Sequence, residues 1–334
     1  GWGIRAVDSS VAIGWENLLS GNPRDLYGVS QLLTKSKPLE NRSSVAVPQD
    51  APTLQEAVYI VREGGTIDIA AGVHTAQERL AIYKSVTLRG AGPEQTELSK
   101  LGMSIFPDVE RVTLSNCAVS GEGEQTGLVV GGSVQVHIED CTFSSLDTGI
   151  SVRGSAQVHI EDCTFSYLDT GISARDSGQV ALIRSIVSNS QVGIWAVVGD
   201  VSLDVNESRI SDNAQEGIVF FGSSIMIDHC HIIGNGSNCY DTENFGIEVG
   251  GESQVSISYS EISQNICGGI NIHYNVNRTV VPEANINHNK IFANGYGIGL
   301  YCQGGSPKIS LSHNEIFANK RGIMLFINPG NDTI

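Results

Sequence analysis

What this chain is short of narrows its possible roles. Lys and Arg number 20 against 36 Asp and Glu in 334 residues, a net charge of −16. That deficit of basic residues argues against nucleic acid and anionic membrane as partners, since both demand a positive face. No apolar run approaches about 18 residues, so no segment reads as membrane-spanning, and none reads as a signal peptide. The seven cysteines are an odd count. Cys117, Cys141 and Cys163 fall at one phase of a repeat, a phase filled elsewhere by Ser185, Ser260 and Asn289. That pattern predicts a buried column of small residues with reduced thiols. Parallel strands would stack such Cα atoms about 4.8 Å apart, inside the disulfide range but poorly oriented for one.

What the chain has is repetition. "QVHIEDCTFSSLDTGISVRGSA" is followed at once by "QVHIEDCTFSYLDTGISARDSG", a period of 22 residues. From Val112 onward each unit has two short alternating apolar segments, a polar turn between them, and a glycine leading the second. The leading glycines stand at 127, 149, 171, 193, 217, 246, 269, 297 and 322. Strands of period two without a helix-length partner exclude a leucine-rich horseshoe and a βαβ sheet. A repeat of 22–25 residues is one coil of a parallel β-helix, with irregular spacing absorbed by loops at one corner. Eleven or twelve coils at about 4.8 Å give a rod of roughly 55 Å.

Residues 1–47 lie outside the period and predict a helical pair and a linker. Val11, Trp15, Leu18 and Leu19 make one apolar stripe; Leu26, Val29 and Leu33, after Asn22-Pro23, make another. Residues 48–334 form the solenoid, entered through a helix over about 53–63. Thr53 and Glu56 read as its capping box, and Leu54, Ala57, Val58 and Val61 as the face that covers the first coil.

The stretch "APTLQEAVYIVREGGTIDIAAGVHTAQERLAIYKSVTLRGAG", followed by rungs such as "ISLSHNEIFANKRGIML", resembles the right-handed parallel β-helix superfamily. That group includes pectate-lyase-like folds and periplasmic copper-maturation proteins. The resemblance implies an all-β, single-stranded right-handed coil and an extracytoplasmic or secreted setting. It leaves activity open, since such folds serve lyases, hydrolases, epimerases, adhesins and scaffolds alike. The Gly-His-Gly, Asp-Asp and Asn-x-Asp marks of polygalacturonase-like hydrolases are missing, as is the Asp-Pro-His-Asp of alginate epimerases.

With Ile150 and Val152 inside, the alternate positions point outward and can be followed rung by rung. They bring Arg153 and Arg175, then Trp195 and Phe221, then His273, Tyr301 and Phe326 onto one face. Exposed aromatics in line suit a sugar chain or a protein partner. The competing reading is that the Gly234 to Phe245 insertion or the N-terminal helices cover this face. The leading expectation is an elongated recognition scaffold for a polysaccharide or a protein. One alternative is a lyase-like polysaccharide-processing enzyme with a calcium-assisted site among outward acids and Arg153 or Arg175. The other is a structural or assembly module.

No cofactor is expected beyond calcium, which Glu139, Asp140, Glu161 and Asp162 could hold on adjacent rungs. His229 and His231, flanking Cys230, would present two imidazoles on one side with Glu261 a rung above, a geometry open to a metal. No helix follows Ile323–Ile327, so further chain or another subunit is expected to cover that end.

Overall fold

The computed structural model describes residues 42–76, 78–123, 125–237, 244–275, 283–303 and 308–328. The helical pair expected in the first 41 residues lies outside them, as do residues 238–243 of the Gly234 to Phe245 insertion. The described chain is a parallel β-solenoid. One strand per coil builds an 11-stranded sheet, called sheet 2 below, while two strand segments per coil build a 21-stranded sheet, sheet 1. Every pairing joins a strand to its counterpart one coil on, in parallel.

The near-verbatim duplication is in perfect register: Gln135–Glu139 pairs with Gln157–Glu161, and Thr142–Ser144 with Thr164–Ser166. Inward residues stack in columns. Ile150, Ile172, Ile194, Ile218, Ile247, Ile270 and Ile298 are wholly buried beneath sheet 2. Phe143 and Phe165 stack in the core with centroids 4.9 Å apart. Stacking like on like gives each coil a neighbour with the same shape, so burial accumulates coil by coil.

Sheet 1 bends between its two segments through a single left-handed residue. Asp140, Asp162, Arg184, Glu207, His229, Tyr259, His288 and His313 occupy this position, with φ between 44° and 56°. The next residue turns its side chain inward, and this is the Cys/Ser/Asn column. Cys117, Cys141, Cys163 and Cys230 are buried free thiols, with Cys117 and Cys141 sulfurs 3.8 Å apart. At other rungs Ser185, Ser208, Ser260 and Asn289 accept a backbone N–H from the coil below. A second corner carries a buried asparagine ladder. Asn213, Asn235, Asn265 and Asn294 each donate Nδ2 to the Oδ1 of the next, the ladder ending on Asn319, at 2.9–3.0 Å.

Two boundaries differ from the sequence reading. Arg42–Val47, assigned there to the linker, is the first strand and pairs with Val61–Ile69. The helix spans Leu54–Ile60 only, because Val61 leaves helical geometry to start that strand. Its capping box is present: Thr53 Oγ1 accepts from the Glu56 N–H at 3.2 Å and donates to its carboxylate at 3.0 Å. Leu54, Ala57 and Val58 are buried against the first strands. At the far end Ile323 and Leu325 continue the inward phase of Ile298 and Leu300 yet stand 52% and 56% exposed.

Candidate functional site

Alternation along sheet 2 fixes which side chains face out, and register fixes their order. One outward column runs Ser151, Ser173, Trp195, Val219, Glu248, Asn271, Gly299, Met324. The other runs Val197 to Phe221, then Gly250, His273, Tyr301 and Phe326. Trp195 and Phe221 are each 40% exposed and Phe326 52%. His273 stacks on Tyr301 at 4.9 Å and 8°, and Tyr301 on Phe326 at 5.0 Å and 7°. Phe221 lies flat across the rung above, where a Cβ on Gly250 would overlap its ring. Glycine at 250 is what leaves room for the Phe221 ring there.

A polar group interrupts the aromatics. His273 Nε2 stands 3.6 Å from Glu248 Oε1 and contacts the Asn271 side-chain amide. Asn271 is fully buried, and its Oδ1 has no hydrogen-bond partner. Burial pushes the His273 imidazole below its usual pKa and the Tyr301 phenol above its own. The neutral imidazole can therefore accept or donate a hydrogen bond at neutral pH. Glu248 and Asn271 stood at outward positions in the sequence but were not singled out. The signal was a Glu and an Asn on consecutive rungs after Trp195 and Val219.

Arg153 and Arg175 are exposed at the start of the same face, Arg153 just beyond its strand with Nε donating to Ser151 Oγ at 3.3 Å. Three coils separate Arg175 from Glu248, about 15 Å at 4.8 Å per coil. The arginines thus lie apart from the carboxylate–imidazole group. They are also on a different sheet from the four acids proposed to assist them.

Those acids do not converge. Asp140 and Asp162 occupy left-handed corners, while Glu139 and Glu161 sit on the strands before them. Arg184, one coil on, supplies positive charge: it pairs with Asp162 at 3.0 Å and with Glu161. The Arg184 bond holds the Glu161 carboxyl below its usual pKa, and the His159 contact adds to this. His229 and His231 also part company, because φ of 52° at His229 turns it away from the strand that His231 begins. His229 Nδ1 meets Asp228 at 2.6 Å and its ring stacks on Tyr259, whereas His231 lies 3.7 Å from Glu261. Among the described residues no three His, Cys, Asp or Glu side chains gather to hold a metal ion. Nor is any described helix long and apolar enough to cross a membrane.

The family described as "right handed beta helix region" matches residues 102–241. No curated protein sequence matches the chain. Among solved structures, the catalytic domain of a GH87 α-1,3-glucanase in complex with tetrasaccharides is similar at TM-score 0.59 and 13% identity, covering 87% of this chain and 68% of that one. PfbA, a surface adhesin of Streptococcus pneumoniae, is similar at TM-score 0.52 and 11% identity, covering 85% and 93%. At such identities the likeness is one of fold. The coil-by-coil parallel pairing and these matches together show a parallel β-helix fold, and they assign the chain to no individual family.

Proposed function

We propose that the protein is an elongated recognition rod that binds a carbohydrate chain along sheet 2, from Trp195 to Phe326. The observation that carries this is the outward column of Phe221, His273, Tyr301 and Phe326, its last three rings stacked, with Trp195 in the adjoining column one coil before Phe221. Aromatic rings spaced by one coil offer a row of apolar ring edges to successive sugar rings, and Glu248 and His273 add polar contacts to hydroxyls. Arg153 and Arg175 would lengthen the face towards acidic or sulfated residues of such a chain. A protein partner would use the same surface. The glucanase neighbour is a sugar-processing enzyme and PfbA an adhesin, and both uses are compatible with a binding face on this fold. Cys267 is disulfide-bonded, which fits an oxidising, extracytoplasmic setting.

A glycan-array screen of the purified chain tests this, alongside the Trp195→Ala/Phe221→Ala variant. Retention by the parent and loss by the variant, with the fold intact by circular dichroism, is the expected result. Equal retention by both would remove the stripe from the account.

A second reading, polysaccharide processing, draws on the 3.6 Å approach of Glu248 to a neutral His273. Such a pair can pass a proton, and Asn271 would hold the imidazole in place. Product release from the arrayed glycans, abolished by His273→Ala, would favour it; retention without product leaves the binding rod.

A further inference from the structure

Sheet 1 carries a separate constellation on its own outward face. Gln135, Gln157 and Gln179 stand in register on three coils. Their amides bond head to tail: Gln135 Nε2 donates to Gln157 Oε1 at 3.4 Å and Gln157 Nε2 to Gln179 Oε1 at 3.3 Å. Arg111 starts the row by donating to Gln135 Oε1 at 2.9 Å. The row runs one way and ends on Gln179 Nε2. The next residue in register, Ser202, is too short to receive it and bonds instead to Ser224 at 2.9 Å.

Beside the glutamines runs a second column, His137, His159, Ala181, Asp204. The two imidazoles stack at 5.1 Å. Ala181 has no ring, so the stack stops and the upper face of His159 is uncovered. One coil further, Asp204 has an enclosed carboxylate oxygen that accepts no hydrogen bond. Burial, with the nearby charge of Asp228, raises its pKa. These groups line one open cavity of about 650 Å³.

We propose that this groove binds one ring of a neutral saccharide, seated over Ala181 against the His159 face, donating a hydroxyl to Asp204 and accepting from Gln179 Nε2. Two coils separate His159 from Asp204, about 9.6 Å, which leaves the thickness of one pyranose between them. A stacking face, an acceptor short of donors and a donor without an acceptor are three complementary needs that a polyhydroxylated ring meets together. A nucleotide would bring its phosphate beside Glu139 and Glu161, in a chain already at −16. A bare cation would serve Asp204 but leave the Gln179 donor and the imidazole face unused. The groove and the aromatic stripe lie on different sheets, so this site stands or falls apart from the function proposed above.

The test is an NMR titration of the full chain with labelled histidine, adding cello-, malto-, laminari- and mannotetraose in turn up to about 10 mM, where millimolar affinities register. The expected result is that at least one sugar shifts the His159 ring resonances. Ala181→His, which extends the stack with a residue the two preceding coils already hold, should keep the melting temperature and weaken that binding by about tenfold or more. Asp204→Asn should weaken it also, and Trp195→Ala/Phe221→Ala should leave it unchanged. The proposal is overturned if no sugar moves those resonances. It is equally overturned if Ala181→His binds like the parent, or if the sheet 2 variant abolishes the shift.

Discussion

Phe165 has no exposed surface and shares its stack with Phe143. Cutting it to alanine opens a cavity that two neighbouring coils cannot both close, so Phe165→Ala should cost about 3–5 kcal/mol in denaturant unfolding. Asp204 makes the opposite case. Its carboxyl is raised in pKa by burial and by Asp228, so the folded state holds its proton to higher pH than the unfolded state does. That carboxylate therefore opposes folding at neutral pH, and the opposition fades as pH falls through the folded pKa. Asp204→Asn should accordingly raise the melting temperature at pH 7, and the gain should shrink towards pH 4. A gain independent of pH would contradict this account. Residues such as His229 were not legible from sequence, for an equally local reason. The left-handed corner costs only about 1–2 kcal/mol and accepts Asp, Arg, Glu, His or Tyr here, so no glycine announces it and strand alternation was read straight through it.

At the scale of the element, the asparagine ladder shows how a corner is held. Asn265 accepts both the backbone N–H and Nδ2 of Asn235, and donates to Asn294 and to the Ile232 carbonyl. Asn265→Ala strands two buried donors at about 1–3 kcal/mol each, a loss of about 2–6 kcal/mol. The outward Ser256→Ala on the same coil should stay within about 0.5 kcal/mol by the same assay. The entry helix is simpler. Thr53→Ala removes the cap that Glu56 uses and should cost about 1 kcal/mol. The helix start was readable because a capping box is a local signal. Its end was not, because Val61 departs to pair with Arg42, a long-range choice that Gly64 and Gly65 do not report. The ladder itself was not visible: spacing placed Asn289 in the separate small-residue column, and nothing in spacing says that Asn213 to Asn319 bond amide to amide along the rod.

At the scale of the molecule, repetition made the fold legible and left function obscure for the same cause. A period of 22 residues fixes pairing, core phase and outward face together, so Trp195 shares a face with Phe221, His273, Tyr301 and Phe326, and the last three fall in line, wherever the turns lie. Yet any rung of such a rod carries outward side chains, and chemistry depends on which neighbours approach. Glu248 nearing His273, and Asn271 buried with an unmatched oxygen, are facts of side-chain placement that a linear pattern does not hold. The arginines are the converse: periodicity put Arg153 and Arg175 on the right face, and only counting coils shows them too far from Glu248 to share its chemistry. The most direct measurement is quantitative binding of a glycan retained by the parent chain, compared with Trp195→Ala/Phe221→Ala at equal folded fraction. The account predicts that binding falls by about a hundredfold or more, about 1.4 kcal/mol for each tenfold. An affinity unchanged by removing both rings would contradict it.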